Sequence, residues 1–250
     1  MECCVLRIGF GNQGQYAIRN TEKHMILFVD NEHKLGYDKP WGEKLQAART
    51  RIKYRLEDIT GDICLMVRYP HATPGLIKKY EIRAIFISGN STKHTLYDEA
   101  DRIGLCTILR DRQLPIFGFC GGFQLMGETY GVPLELIGPL DPGEEDPFPE
   151  GSNPGMKKEF GYEPVRIVKQ HLLLAGLDEA PIVRHAHSWE LKAIPEGFDV
   201  LAETDTTPIQ MMVHRELPLA GTQFHPEYYT DEHPAGRIMI ENFCKIAGLI

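Results

Sequence analysis

The sequence predicts an α/β fold: an open, mostly parallel β-sheet with helices on both faces, plus a small antiparallel portion in the C-terminal half. Three observations predict it. Through residue 130, short apolar runs alternate with segments of helical period, and that β-α-β-α order implies parallel strands joined by crossover helices. After a stretch rich in Pro, Gly, Asp and Glu at 139–155, the runs shorten and their connections tighten, a pattern expected of antiparallel strands. The length of 250 residues suits one large α/β domain.

Taken in order, Met25–Val29 (MILFV) reads as a buried strand ending at Asp30. Trp41–Ile59 reads as an amphipathic helix, because Leu45, Ala48, Ile52, Leu56 and Ile59 recur every three or four residues. Asp62–Val67 is a second strand, Pro74–Tyr80 a short helix, Arg83–Ile87 a third strand and Leu96–Arg112 a second long helix. Leu114–Phe119 is a fourth strand, and a helix follows from Gly122 to Tyr130. The 139–155 stretch reads as an exposed loop. Beyond it, strands are expected at Glu163–Val168, Ile182–His185, Asp199–Glu203, Ile209–His214 and Leu219–Gln223, and a closing helix over His233–Ala247.

Composition narrows the function classes. The net charge of -8 argues against a nucleic-acid or anionic-membrane partner, since both are usually met by clustered Lys and Arg. No run of 18 apolar residues exists to span a membrane. The N-terminus has no basic region leading into a long apolar stretch, so no signal peptide is expected. Six cysteines at positions 3, 4, 64, 106, 120 and 244 are too irregularly spaced for a disulfide framework and form no CxxC pair for zinc. A cytoplasmic setting follows, with no metal and no cofactor assigned.

The most informative segment is Pro115–Gln124 (PIFGFCGGFQ). An apolar strand runs into a small-residue turn and then a helix, with Cys120 at the turn and Gly118 and Gly122 two residues away on either side. This is the cysteine form of the strand–nucleophile–helix elbow. The turn is sharp, and larger flanking side chains would collide with the adjoining strand and helix. It exposes the sulfur at the carboxyl end of the sheet, where open α/β folds bind ligands. It also puts that sulfur at a helix N-terminus, which favours negative charge.

A second segment, Leu219–Glu227, ends an apolar strand in His225-Pro226-Glu227. Pro226 biases His225 towards extended angles. In an extended chain, residues two apart point the same way, so the Glu227 carboxylate is expected to orient the imidazole.

Together, G-x-C-x-G-x-Q at 118–124 and TQFHPE at 222–227 resemble the class I glutamine amidotransferase family, over about residues 25–248. Other stretches fit: MILFVDN at 25–31, Ile87-Ser88-Gly89-Asn90, Lys158-Glu159-Phe160-Gly161, and His187–Leu191 with Ile194–Phe198. The C-terminal half is most similar to the amidotransferase part of GMP synthetase. The resemblance implies a flavodoxin-like fold and a glutaminase half-reaction. Carried over by position, Cys120 attacks the side-chain amide of glutamine, His225 shuttles protons and Glu227 orients it. Backbone N–H groups of Gly121 and of Gly89 or Asn90 form the oxyanion hole. Gln124, Ser188 and Trp189 bind the substrate. Two departures stand out: Asn90-Ser91 replaces the family's common Gly-Pro, and Ser188-Trp189 its common Gly-Asp.

Residues 1–24 precede the match and read as an N-terminal extension to a domain at 25–250. Gly9–Gly14 fits G-x-G-x-x-G, and Asp30 falls where a ribose-binding acid would. Only some ten residues separate Gly14 from Met25, too few for an ordinary crossover helix, so an edge strand or hairpin is the expectation. Three functions compete. The first is an ammonia-producing subunit that serves a separate synthetase subunit. The second is a stand-alone hydrolase of γ-glutamyl compounds. The third is a non-catalytic regulatory module, against which the intact Cys-His-Glu set speaks.

Overall fold

A computed structural model describes residues 24–250. The motif at Gly9–Gly14 and the expected extension therefore lie outside the described residues, apart from His24. The strands are β1 Met25–Asp30, β2 Ile63–Arg68, β3 Ile82–Ile87, β4 Ile116–Phe119, β5 Leu134–Leu136, β6 Glu159–Pro164, β7 Arg166–Ile167, β8 Ile182–His187, β9 Trp189–Leu191, β10 Phe198–Glu203, β11 Met211–His214 and β12 Leu219–Thr222. The helices are α1 Gly42–Thr60, α2 Pro74–Lys79, α3 Glu99–Asp111, α4 Gly121–Thr129 and α5 Ala235–Ile246.

Eight strands form one sheet in the order β2-β1-β3-β4-β12-β11-β10-β7. The first five are mutually parallel and the last three join antiparallel. Two small antiparallel pairs, β5 with β9 and β6 with β8, sit apart from it. Helices cover both faces, as the alternation in β1 requires. Ile26 and Phe28 pack into a core with Ile52 and Leu56 of α1 and with Met239, Ile240 and Phe243 of α5. Leu27 and Val29 pack into the opposite core with Leu105, Ile108 and Leu109 of α3 and with Phe123 and Met126 of α4. Among the described residues, no helix is long and apolar enough to cross a membrane.

The structure departs from the sequence expectation in three places. The helix expected from Leu96 starts at Glu99, because the Asp98 side chain accepts a bond from Ala100 N at 2.9 Å and caps it. A separate 3-10 turn occupies His94–Leu96. The strand expected over Glu163–Val168 is two strands. β6 belongs to the small pair with β8 and β7 to the main sheet, and the chain crosses between them at Pro164–Val165, where proline lacks a ladder donor. Finally, β5 and β9 have only three residues each, too short for an alternation to register.

The aromatic contacts of Phe243 with Phe86 and Phe117, at centroid distances of 5.7 and 4.9 Å, fasten α5 to the sheet. Phe243→Ala is expected to destabilise the fold by about 3–5 kcal/mol, read from the urea midpoint at unchanged m-value.

Candidate active site

The site begins with β4, fully buried between β3 and β12 in the middle of the sheet. Its last step turns the chain so sharply that Cys120 has φ 46° and ψ -101°, a left-handed backbone on a residue with a side chain. Such a conformation costs about 1–3 kcal/mol. It is held from both sides, since Cys120 N donates to Thr222 O at 2.7 Å and Cys120 O accepts from Gln124 N at 2.8 Å. The flanking glycines are forced by contact. A Cβ on Gly118 would lie 2.7 Å from the backbone carbon of Gly122, and one on Gly122 would lie 2.5 Å from Ile87 O. No real Cβ tolerates such distances.

His225 follows β12, the strand beside β4, so the two segments arrive side by side. Its backbone N–H donates to Arg184 O on β8 at 2.8 Å. Its Nδ1 lies 2.8 Å from Glu227 Oε1, and Glu227 is almost wholly buried. The pairing is as expected but the route differs. Pro226–Tyr228 form one turn of 3-10 helix, so the carboxylate reaches the ring by curling back rather than along an extended chain. Burial by itself would lower the imidazole's pKa. The charges of Glu227 and Cys120, with a side-chain hydrogen bond to each, outweigh burial and raise it to about 10.

The loop after β3 completes the meeting. A Cβ on Gly89 would fall 2.8 Å from His225 Cε1 and 3.3 Å from Cys120 Cβ, so only glycine lets this loop approach both. Asn90 N faces Gly121, lying 2.9 Å from where a Cβ there would stand. The expected oxyanion donors of Gly89, Asn90 and Gly121 are thus gathered around Cys120.

Residues that the sequence reading missed hold this loop. Arg49 on α1, buried, donates through Nε to Asp30 Oδ1 at 2.9 Å and through Nη2 to Gly89 O at 2.7 Å. Burial opposes the guanidinium's charge, but the Asp30 carboxylate prevails and its pKa is raised. Tyr37 also donates to Asp30, so the acid that resembled a ribose ligand is occupied internally. Glu32, wholly buried, accepts from Ser91 N at 2.6 Å and Thr92 Oγ1 at 2.7 Å. The only sequence signal for Arg49 was a cation beside the apolar stripe of α1, and surface cations look the same.

A cavity of about 540 Å³ opens over these groups, within the usual range for small-molecule sites. Gln124, Ser188 and Trp189 all line it. Gln124 is buried, with Nε2 on Trp189 O at 3.3 Å and Gln223 Oε1 at 3.1 Å. Gln223 in turn places Nε2 3.6 Å from Cys120 Sγ. Ser188 Oγ accepts from Asn153 Nδ2 at 2.8 Å, and Trp189 meets His94 edge-on at 5.0 Å. Asn153 lies in the stretch read as an exposed loop. That stretch is largely exposed but also walls the cavity, with Phe148 stacked on Phe160 at 4.5 Å.

Comparison with known proteins bears on the family and the fold. The profile of the family "Glutamine amidotransferase class-I" matches residues 52–247. The chain is similar to the glutamine-hydrolyzing GMP synthase subunit of Methanopyrus kandleri, 32% identical over 90% of this chain and 99% of the relative. It is also similar to the same-named subunit of Pyrococcus furiosus, 30% identical over 72% of this chain and 84% of the relative. The solved structure of a candidate GMP synthase subunit from Thermoplasma acidophilum superposes with a TM-score of 0.67. That match has 20% identity and covers 90% of this chain and 94% of that one, a likeness of fold.

Two predictions arise here. Arg49→Met leaves the Asp30 charge buried without its partner, and a loss of about 3–5 kcal/mol is expected in chemical denaturation. Adding Asp30→Asn should recover part of it, giving a non-zero double-mutant coupling. For His225, NMR titration should show the ring protonated well above pH 7. Glu227→Gln removes the main charge holding that proton while burial still opposes it, so the midpoint should fall by one unit or more. Because the folded pKa lies above the ordinary 6.5, this ring's stabilising contribution is complete below about pH 6.5. It is lost as pH rises through about 10.

Proposed function

The chain belongs to the class-I glutamine amidotransferase family, and we propose that it performs the glutaminase half-reaction with Cys120, His225 and Glu227. The observation that carries this reading is that the strained elbow at Cys120 shares one cavity with His225, whose ring is paired with the buried Glu227 carboxylate. The Cys120 thiolate attacks the side-chain amide carbon of glutamine. The oxygen takes the negative charge, and N–H groups of Gly121 and of Gly89 or Asn90 stabilise it, each such donor typically being worth roughly 3–4 kcal/mol of barrier. The His225 imidazolium gives its proton to the departing nitrogen, which leaves as ammonia, and a glutamyl thioester remains on Cys120. Water then attacks the thioester while His225 takes its proton. Glutamate leaves and the thiolate returns. Glu227 holds the ring in orientation throughout.

Gln124, Ser188 and Trp189 are the candidates for binding the amino-acid end of glutamine. Their shared placement on the cavity wall supports that role. The relatives are named as one subunit of a GMP synthase. The partner proposed is therefore a separate synthetase subunit that receives the ammonia across an interface.

A second reading has one observation in its favour. The cavity extends past the triad to an apolar wall of Trp41, Leu45 and Phe148, which gives room for more than free glutamine. A stand-alone hydrolase of γ-glutamyl amides with a bulky leaving amine would use the same three groups.

Incubation with glutamine, followed by ammonia assay and intact mass, tests the chemistry. A glutamyl adduct on Cys120 is expected, and Cys120→Ala should lower ammonia release by about 10³-fold or more. Ammonia release that rises severalfold on adding the synthetase subunit supports the first reading. Faster turnover of a γ-glutamyl anilide than of glutamine, with no partner present, supports the second.

A further inference from the structure

Beside the cavity, which His187 helps to line, lies a cluster to which the proposed reaction gives no role. In β6 and β8, Glu159 stands directly across from His187, and Gly161 across from His185. Alternation along a strand puts Glu159, His185 and His187 on the same face, and Gly161 leaves space opposite the first imidazole. One ligand atom from each of the three lies within 4.8 Å of the others.

Three imidazole nitrogens of this cluster lack a hydrogen-bond partner among the described residues. His185 is wholly buried, and among the described residues neither ring nitrogen has a hydrogen-bond partner. An imidazole with both nitrogens unmet in a core is costly. His187 Nε2 sits 3.0 Å from Glu159 Oε2 yet is not aligned to hydrogen bond with it. Two donors bound to one zinc ion at about 2.1 Å stand roughly 3.0–3.4 Å apart, so a shared ion fits that spacing, as a plain ion pair also does.

The surroundings match a metal's outer shell. His187 Nδ1 lies 3.2 Å from Trp189 O, leaving Nε2 as the ligating atom, since ligating histidines usually give their other N–H to a carbonyl or carboxylate. Gln210 Nε2 donates to Glu159, while Gln210 Oε1, also buried, is unpartnered among the described residues.

We propose that Glu159, His185 and His187 form a structural site for a divalent transition-metal ion of the zinc class. The residue types, two imidazoles and a carboxylate, suit zinc over magnesium or calcium. The ion would pin β6 to β8 close to Arg184, whose carbonyl holds the backbone of His225. This site is independent of how the triad is read. Along the chain only the His185-x-His187 pair shows, because Glu159 comes from a different strand.

The test uses the full chain stripped with chelator and titrated with Zn²⁺ in a calorimeter, alongside Cys120→Ala and His185→Leu. One ion per chain is expected in the wild type and in Cys120→Ala, with at least a tenfold affinity loss in His185→Leu. Saturating Zn²⁺ should raise the melting temperature by roughly 5–10 °C. X-ray absorption of the Zn²⁺-loaded wild type should show only nitrogen and oxygen neighbours at about 2.0–2.2 Å, a readout that stands even if His185→Leu fails to fold. Sulfur in that shell, loss of binding in Cys120→Ala, or no stoichiometric binding would overturn the proposal.

Discussion

The left-handed backbone at Cys120 constrains everything near it. A residue with a side chain does not adopt φ 46° unaided, so the surrounding structure must over-determine it. The determination comes from β4 lying between β3 and β12, each paired with it in parallel. One neighbouring strand brings Gly89 against the sulfur's carbon, and the other brings His225. The elbow therefore needs no loop to search for its partners. The sheet that strains it also delivers them.

Behind this first layer is a second one made of buried charge. Arg49 and Asp30 are both close to fully buried, an arrangement whose desolvation cost can equal its attraction. Its consequence is positional, because the guanidinium also grips Gly89 O and fixes the loop that faces Cys120. Glu32 does the same one step later, through Ser91 N and Thr92. The loop departs here from the Gly-Pro common in the family. With Asn90-Ser91 in place, its shape is set by side chains from α1 and from the segment ending β1 rather than by a proline ring.

The C-terminal half contributes through strand β8. Arg184 O anchors the backbone of His225, and Ser188 and Trp189 follow directly along the cavity wall. The acid-rich stretch at 139–155 joins them by way of Phe148 and Asn153. The cavity is thus built from segments that span most of the described chain, from Glu32 to Tyr228.

The sequence by itself determined the parallel core and the elbow. Their signals are local: apolar runs of five or six residues, the glycines that flank Cys120, and a histidine ahead of a proline. It also determined that Glu227 pairs with His225, two residues being close enough to meet in either an extended or a turned chain. Only the tertiary structure decided that the pairing uses a 3-10 turn, that β6 and β7 belong to different sheets, and that Asp30 serves Arg49. The same holds for the roles of Arg49, Glu32 and Gln223 and for the gathering of Glu159 with His185 and His187. These depend on contacts between residues far apart in the chain, such as Gln223 and Cys120 at a separation of 103 positions. A buried charge and a solvated one are written with the same letter, and only folding reveals which of them water has left.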